Sequence, residues 1–177
     1  MTAIQNGSKV THAPYDADGV VRFDPEDLAA QAGCDVDEYA LARMIASEEG
    51  SSDTGTKIAV AWATVNEADR RGVSISAMLL RAVNSDHSGY FGTQKDLSTG
   101  KSDRYASTAL DPHAGDVQIA QGVLGGSIPD PTSGANQFDR PAGESNPDAI
   151  AASRMKTSDP VTVASADPGL RFWRVRG

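Results

Sequence analysis

The stretch "ARMIASEEGSS", Ala42 to Ser52, decides how the chain is read, because it ends an apolar helical run on two adjacent glutamates. Leu41, Met44 and Ile45 stand at i, i+3 and i+4, the spacing of one helical face, and Glu48 is the next member at i+7. This phase predicts that Glu48 points with the core residues. Glu49, about 100° further round the axis, is expected to meet water. A carboxylate on an apolar face loses solvation and holds its proton nearer neutral pH, as a general acid requires. The alternative is structural, with Glu48 ending the helix and pairing with an arginine such as Arg43. The residues alone leave both readings open.

Working outward, this first core helix spans about Asp37 to Glu49 and stops at Gly50. Before it, Asp24 and Pro25 form a cap and first-turn pair for a short helix, "PEDLAAQAG", closed by Gly33. The preceding residues read as a polar arm with one short strand at "GVVRF". After it, Asp53 or Thr54 caps a second helix, "KIAVAWATVNEADRRG", with Ile58, Ala61, Trp62 and Val65 on one face and Asn66 on the flank. Asn66 is read as a brace for the glutamate helix or a partner of neighbouring backbone. "SISAMLLRAV" stacks Ile75, Met78, Leu79 and Ala82 as a third helix behind a serine cap.

Two long loops follow. "NSDHSGYFGTQKDLSTGKSDR", residues 84–104, sets Tyr90 and Phe91 between glycines, and "SIPDPTSGANQFDRPAGESN" sets Phe138 beside Asn136 and Gln137. Loops of this length in a compact domain are usually functional or disordered. Exposed aromatics on them offer the flat apolar contact that sugar rings use; the alternative is that they tuck under the loops. Between the loops, "YASTAL" forms a short helix, and "DPHAGDVQIAQGVLGG" a longer one with Val117, Ala120 and Leu124 on one face and Gly125 and Gly126 at its end. Pro147 opens a last helix, "PDAIAASRMK", and short strands at "VTVAS" and "RFWRV" finish the chain. The expected fold class is mainly α, a helical domain with long loops, minor short strands and no internal repeat.

Composition narrows the chemistry. At 177 residues the chain supports one main domain with appendages. With 24 Asp plus Glu against 16 Lys plus Arg, its net charge of -8 argues against nucleic acid or an anionic membrane as main partner. The basic residues of "RFWRVRG" read as a local patch on a solvated tail. Cys34 is the only cysteine, so no internal disulfide forms. No signal peptide and no run of ~18 apolar residues is present. His12, His87 and His113 stand singly, so no metal is expected. GxSxG, Walker and GxGxxG motifs are absent, no cofactor is expected, and the candidate chemistry falls to carboxylates.

Taken together, "LARMIASEEG", "GTKIAVAWATVNEADRRG", "GYFGTQKD", "DVQIAQGVLGGSIPDPTSGANQFDRP" and "GLRFWRVRG" resemble the cell wall hydrolase family of spore-cortex-lytic enzymes. The resemblance runs from Asp37 to Gly177, leaving 1–36 as an N-terminal arm with a short helix and 37–177 as the catalytic domain. It implies a lysozyme-like, lytic-transglycosylase-related helical fold that cleaves peptidoglycan glycan strands. The family's essential glutamate corresponds to Glu48 and its asparagine to Asn66. Family members follow that glutamate with Ala, Arg and Gly, where this chain has Glu49, Gly50 and Ser51.

The reaction this implies is a lytic transglycosylation. Glu48 protonates the glycosidic oxygen between N-acetylmuramic acid and N-acetylglucosamine, then takes the proton of the muramoyl C6 hydroxyl, which closes a 1,6-anhydro ring. Gln94, Thr108 and Gln137 are candidates for holding N-acetyl groups, and Tyr90, Phe91 and Phe138 for lining the groove. Two other readings stand beside it: a two-carboxylate muramidase using Asp53, Asp86 or Asp103, and a non-catalytic peptidoglycan-binding or phage-particle protein. Without a signal peptide, the expected route is synthesis in the cytoplasm and delivery to the cell wall, with a phage particle or a delivery machine as partner.

Overall fold

A computed structural model describes residues 7–10, 25–49, 52–79, 111–139, 151 and 153–176. Over these the chain is mainly helical, with one small antiparallel sheet. The helices begin and end where local chemistry dictates. Helix α1, Pro25–Ala32, starts on a proline whose fixed φ suits the first helical position. It stops at Gly33, whose φ of +72° favours glycine. Helix α2, Val36–Glu49, opens with a reciprocal box in which Glu38 N donates to Asp35 Oδ1 (2.8 Å) and Asp35 N to Glu38 Oε2 (3.0 Å). Helix α3, Thr54–Arg71, is capped by Asp53, which accepts from Thr56 N (3.0 Å), and ends at Gly72 with φ 66°. Helix α4, Ile75–Leu79, is capped by the Ser74 hydroxyl, which accepts from Ala77 N. Ala82, expected to continue it, lies outside the described residues. Helix α5, Ala114–Leu124, ends at Gly125.

Helix α2 is the centre of the molecule. It packs against α1, α3, α4 and α5, and every residue from Tyr39 to Ile45 is buried. Alanines on both partners, among them Ala40 and Ala42 on α2 and Ala59 and Ala63 on α3, keep the helices close. The face expected on α3 was Ile58, Ala61, Trp62 and Val65. In the structure Ile58 and Trp62 are only partly buried, and the buried surface extends over Ala59, Val60, Ala63 and Thr64. The largest apolar side chains thus seal the margin of the interface while small ones fill its centre. Trp62 still pairs its indole, donating from Nε1 to Ile128 O at 3.2 Å.

Two ion pairs are sealed within this core. Arg43 Nη1 lies 3.0 Å from Asp111 Oδ1 and also donates to the Tyr39 hydroxyl, while Lys57 Nζ lies 2.9 Å from Asp116 Oδ1. Both pairs tie the N-terminal end of α5 to the helices beneath it. Part of the N-terminal arm docks at the same place: Lys9 bridges His113, Val10 N donates to Pro112 O, and Ala114 N donates to Ser8 O. The strand expected at "GVVRF" lies outside the described residues.

The sheet has strands β1, Gln137–Asp139, β2, Ser158–Val161, and β3, Arg171–Val175, in the order β1-β3-β2 with both pairings antiparallel. Three expectations change here. The second long loop becomes a strand at Gln137. The strand near "VTVAS" comes earlier, ending at Val161. "RFWRV" is the central strand of the sheet, so its basic residues do not lie on a solvated tail. Ala151, Ser153 and Arg154 are helical; the start of that helix at Pro147 lies outside the described residues. Among the described residues, no helix is long and apolar enough to cross a membrane.

Candidate active site

Helix α2 carries its two glutamates to the end of the bundle, and the order of their burial is the reverse of that expected from helical phase. Glu49 is buried, 6 % exposed, and Glu48 is half-buried. The reason is the central position of α2. Phase distinguishes inside from outside only for a helix with one buried face. Here Leu41, Met44 and Glu48 form one row, Leu41, Ile45 and Glu49 another, and both rows face neighbouring elements. Glu49 accepts a hydrogen bond from the Ser52 hydroxyl, and Ser52 N donates to Glu49 O, so this glutamate ties down the turn leading to α3. Ser47, on the same last turn, is committed to Met44 O. Arg43, suggested as a partner for Glu48, holds Asp111 and Tyr39.

No basic residue stands in the last turn of α2. The C-terminal end of a helix carries partial negative charge, so two carboxylates there oppose the helix dipole, each by about 0.3–1 kcal/mol when exposed. Helix stability alone does not account for this pair.

Asp53 is a helix cap. Thr56 donates to it from both N (3.0 Å) and Oγ1 (2.8 Å), and the backbone bond from Thr56, followed by the hydroxyl bond, holds its carboxyl below its ordinary value. A carboxylate so engaged is poorly placed to activate water. Asp86 and Asp103 lie outside the described residues, as do Tyr90, Phe91, Gln94 and Thr108.

Asn66 does not reach the glutamate helix. Its Nδ2 donates to Ala135 O (2.9 Å), Asp130 Oδ2 (3.2 Å) and Thr132 Oγ1 (3.3 Å), fastening the "DPTSGA" turn onto α3. Burial alone would raise Asp130. Bonds from the Thr132 hydroxyl and amide, Gly134 N and Asn66 outweigh it and hold the carboxyl below its ordinary value. One residue further, Asn136 is similarly committed: its Nδ2 donates to Glu67 Oε2 (2.9 Å) and its Oδ1 accepts from Val175 N (2.9 Å). Glu67 is buried, which raises its carboxyl, but Arg70 and Arg71 hold it below its ordinary value.

The chain matches no family model, no curated protein and no solved structure.

Gln137 and Phe138 emerge from this braced turn on β1. Phe138 is partly buried against the core, with its ring centroid 6.3 Å from that of Phe172 across the strand pair. It belongs to the packing of the sheet more than to an open loop. Gln137 accepts from Arg154 Nη1 at 2.9 Å. Beside it lies a group that the sequence did not single out: Asp139, held between Arg154 and Arg171 at 3.0 and 2.9 Å. Only pairing across strands brings these three residues together. Among the described residues no cluster of histidine, cysteine and carboxylate side chains could hold a metal ion.

Proposed function

We propose that this protein cleaves the glycan strands of peptidoglycan as a lytic transglycosylase of lysozyme-like fold, with Glu48 as the single acid and base. The observation that carries the reading is the partial exposure of Glu48 at the end of a helix whose middle, Tyr39 to Ile45, is buried. A general acid must be rigidly held and yet within reach of the oxygen it protonates. The buried helix that carries Glu48 and the partial exposure of its side chain support this role. Glu49, buried and bonded to Ser52, meets only the first of these conditions, and its role is to fix the turn behind the acid.

In this mechanism Glu48 gives its proton to the glycosidic oxygen as an oxocarbenium ion develops at the muramoyl C1. The leaving sugar departs with the proton. Glu48, now a carboxylate, accepts the proton of the muramoyl C6 hydroxyl, whose oxygen closes on C1. Protons balance, water takes no part, and no second carboxylate is required. The commitment of Asp53 to capping α3 favours this course over a two-carboxylate hydrolysis.

Mass spectrometry of digested peptidoglycan tests the proposal. Transglycosylation yields 1,6-anhydro-muramoyl ends, lighter than hydrolysed ends by one water and inert to borohydride. Ends labelled from heavy-oxygen water would establish hydrolysis instead. Absence of any product from wild-type protein would leave a binding or particle role. Glu48→Gln should abolish cleavage with the fold intact, whereas Glu49→Gln, whose amide oxygen still accepts from Ser52, should retain most of it. The opposite pattern would move the acid to Glu49.

A further inference from the structure

The basic residues of "RFWRVRG" lie on a strand that is hydrogen-bonded on both sides, so they are held at fixed spacing. Phe172 and its register partner Val161 turn one face of the sheet to the core. Two residues on, Arg174 and its register partner Asp159 continue that face beyond the edge of the core. Arg176 follows, its Nε donating to Asp159 Oδ1 at 2.8 Å. Arg176 N also donates to Thr157 O, which brings Lys156, in the turn before β2, to the same end of the sheet.

Three cations therefore gather around one carboxylate. Asp159 stands opposite Arg174 but gives its bond to Arg176. Arg174 makes one side-chain hydrogen bond, from Nη1 to Ser133 O (3.3 Å), and among the described residues neither it nor Lys156 has an ionic partner. The nearby carboxylates are engaged elsewhere. Asp130, in the turn that Arg174 touches, accepts from Thr132 N, Thr132 Oγ1, Gly134 N and Asn66 Nδ2, and Glu67 is held by Arg70 and Arg71. Lys156, Arg174 and Arg176 are all exposed, so this excess of positive charge, on a chain of net charge -8, is open to solvent.

Such a surface fits a chain of charges better than a single anion. Alternate residues of a strand are about 7 Å apart, too far for one small anion to be enclosed between them. Among the described residues no exposed aromatic stands with them, so contact is through charge. A densely charged duplex would be repelled by the acidic remainder of the protein, whereas a flexible single chain with one charge per repeat can meet the cations in turn.

We propose that Lys156, Arg174 and Arg176 form a docking surface for a phosphodiester polymer of the cell wall that holds the glycan substrate. That the polymer belongs to the wall rests on the glycan-cleaving reading above. The affinity for repeated anionic charge rests on the residues themselves. Phosphodiesters keep their charge wherever the protein is folded and accept from guanidinium and ammonium donors alike. The surface is separate from Glu48. Val175 N bonds Asn136, which bonds Glu67 near the C-terminal end of α3, while Ser52, bonded to Glu49, precedes the N-terminal end of the same helix. About 20 Å of helix lies between the two. Docking there would hold the enzyme at the wall and leave Glu48 free to act.

Anisotropy of a fluorescent poly(glycerol phosphate) chain, titrated with the full-length protein at rising salt, tests this. Wild type should bind it at low salt, with log K falling against log salt at a slope of about -2, the value for three phosphate contacts on a single chain. Arg174→Gln and Arg176→Gln together should weaken binding about tenfold or more and bring the slope to about -0.7. Arg174→Lys, which keeps the charge, should bind nearly as wild type does. No binding by wild type, a slope near zero, or undiminished affinity in the double variant would overturn the surface. Polyglutamate bound as tightly would overturn the phosphodiester assignment, and single-stranded DNA bound more tightly would give the surface to nucleic acid instead. Should the double variant fail to fold, Lys156→Gln decides, because among the described residues that side chain makes no bond to lose. Its slope should be shallower by about 0.7, and an unchanged slope would overturn the surface. Cleavage is read separately. Anhydro products from a wild type that binds no polymer sink the surface alone, and polymer binding without any cleavage product sinks the enzymatic reading alone.

Discussion

Replacing Lys57 with methionine isolates what the buried ion pairs contribute. Lys57 and Asp116 are 3 % and 0 % exposed at the side chain and 2.9 Å apart, so methionine preserves much of the buried stem while removing the lysine charge from that carboxylate, whose other oxygen lies 3.4 Å from His113 Nδ1. Asp116 would keep the bond from His113 N (2.9 Å) and its favourable place in the first turn of α5. Those do not replace a full charge. Breaking a buried pair by removing one partner costs about 3–5 kcal/mol, a large share of the 5–15 kcal/mol that holds a typical domain together. For a chain of this size that corresponds to a melting temperature lower by about 6–20 °C. Urea unfolding followed by circular dichroism should show the midpoint falling with the slope unchanged. The double variant Lys57→Met, Asp116→Asn should recover half or more of the loss, because the amide can still accept from His113 N and carries no charge. A single variant within about 1 kcal/mol of wild type would refute the claim that the pair is desolvated. A double variant as unstable as the single would assign the loss to packing.

Three further outcomes follow from the geometry. Gly55→Ala should destabilise by about 1–3 kcal/mol, because an added Cβ would sit 2.0 Å from Ser165 O, a backbone atom of the segment that docks on α3 through Asp167 N and Thr56 Oγ1; an unchanged melting curve would mean that this segment is not held there. Asp53, Glu67 and Asp130 all have folded values below their ordinary 3.8, 4.5 and 3.8, so their contribution to stability is present above those values and is lost as pH falls through the folded ones; melting temperatures should drop below about pH 4, and Asp130→Asn should flatten that slope. Phe138→Ala should cost about 1–3 kcal/mol of stability, since the ring packs on Phe172 and the core; loss of glycan binding at unchanged stability would instead place the ring in an open groove.

The sequence by itself determined the helices, since their signals are local. Pro25 and Gly33 bound α1, Asp53 and Gly72 bound α3, and Gly125 closes α5, each through the conformational or hydrogen-bonding preference of one residue. It also singled out the end of α2 as the place where carboxylates leave an apolar helix. Tertiary structure alone decided which glutamate is buried, because α2 is enclosed by four neighbours and no single face defines its inside. The same holds for Arg43, suggested as a partner for Glu48, and for Lys57: their partners Asp111 and Asp116, 68 and 59 residues away, meet them only through the fold. Of the strands, only "RFWRV" was legible at its full extent; β1 fell in an expected loop and β2 lies earlier than expected, because strands of three or four residues carry little alternation, and β1 and β3 acquire their faces only from each other. The carboxylate between Arg154 and Arg171 is therefore a product of pairing: Asp139 and Arg171 are partners in register, 32 residues apart in sequence, and only the hydrogen-bonded ladder makes them neighbours.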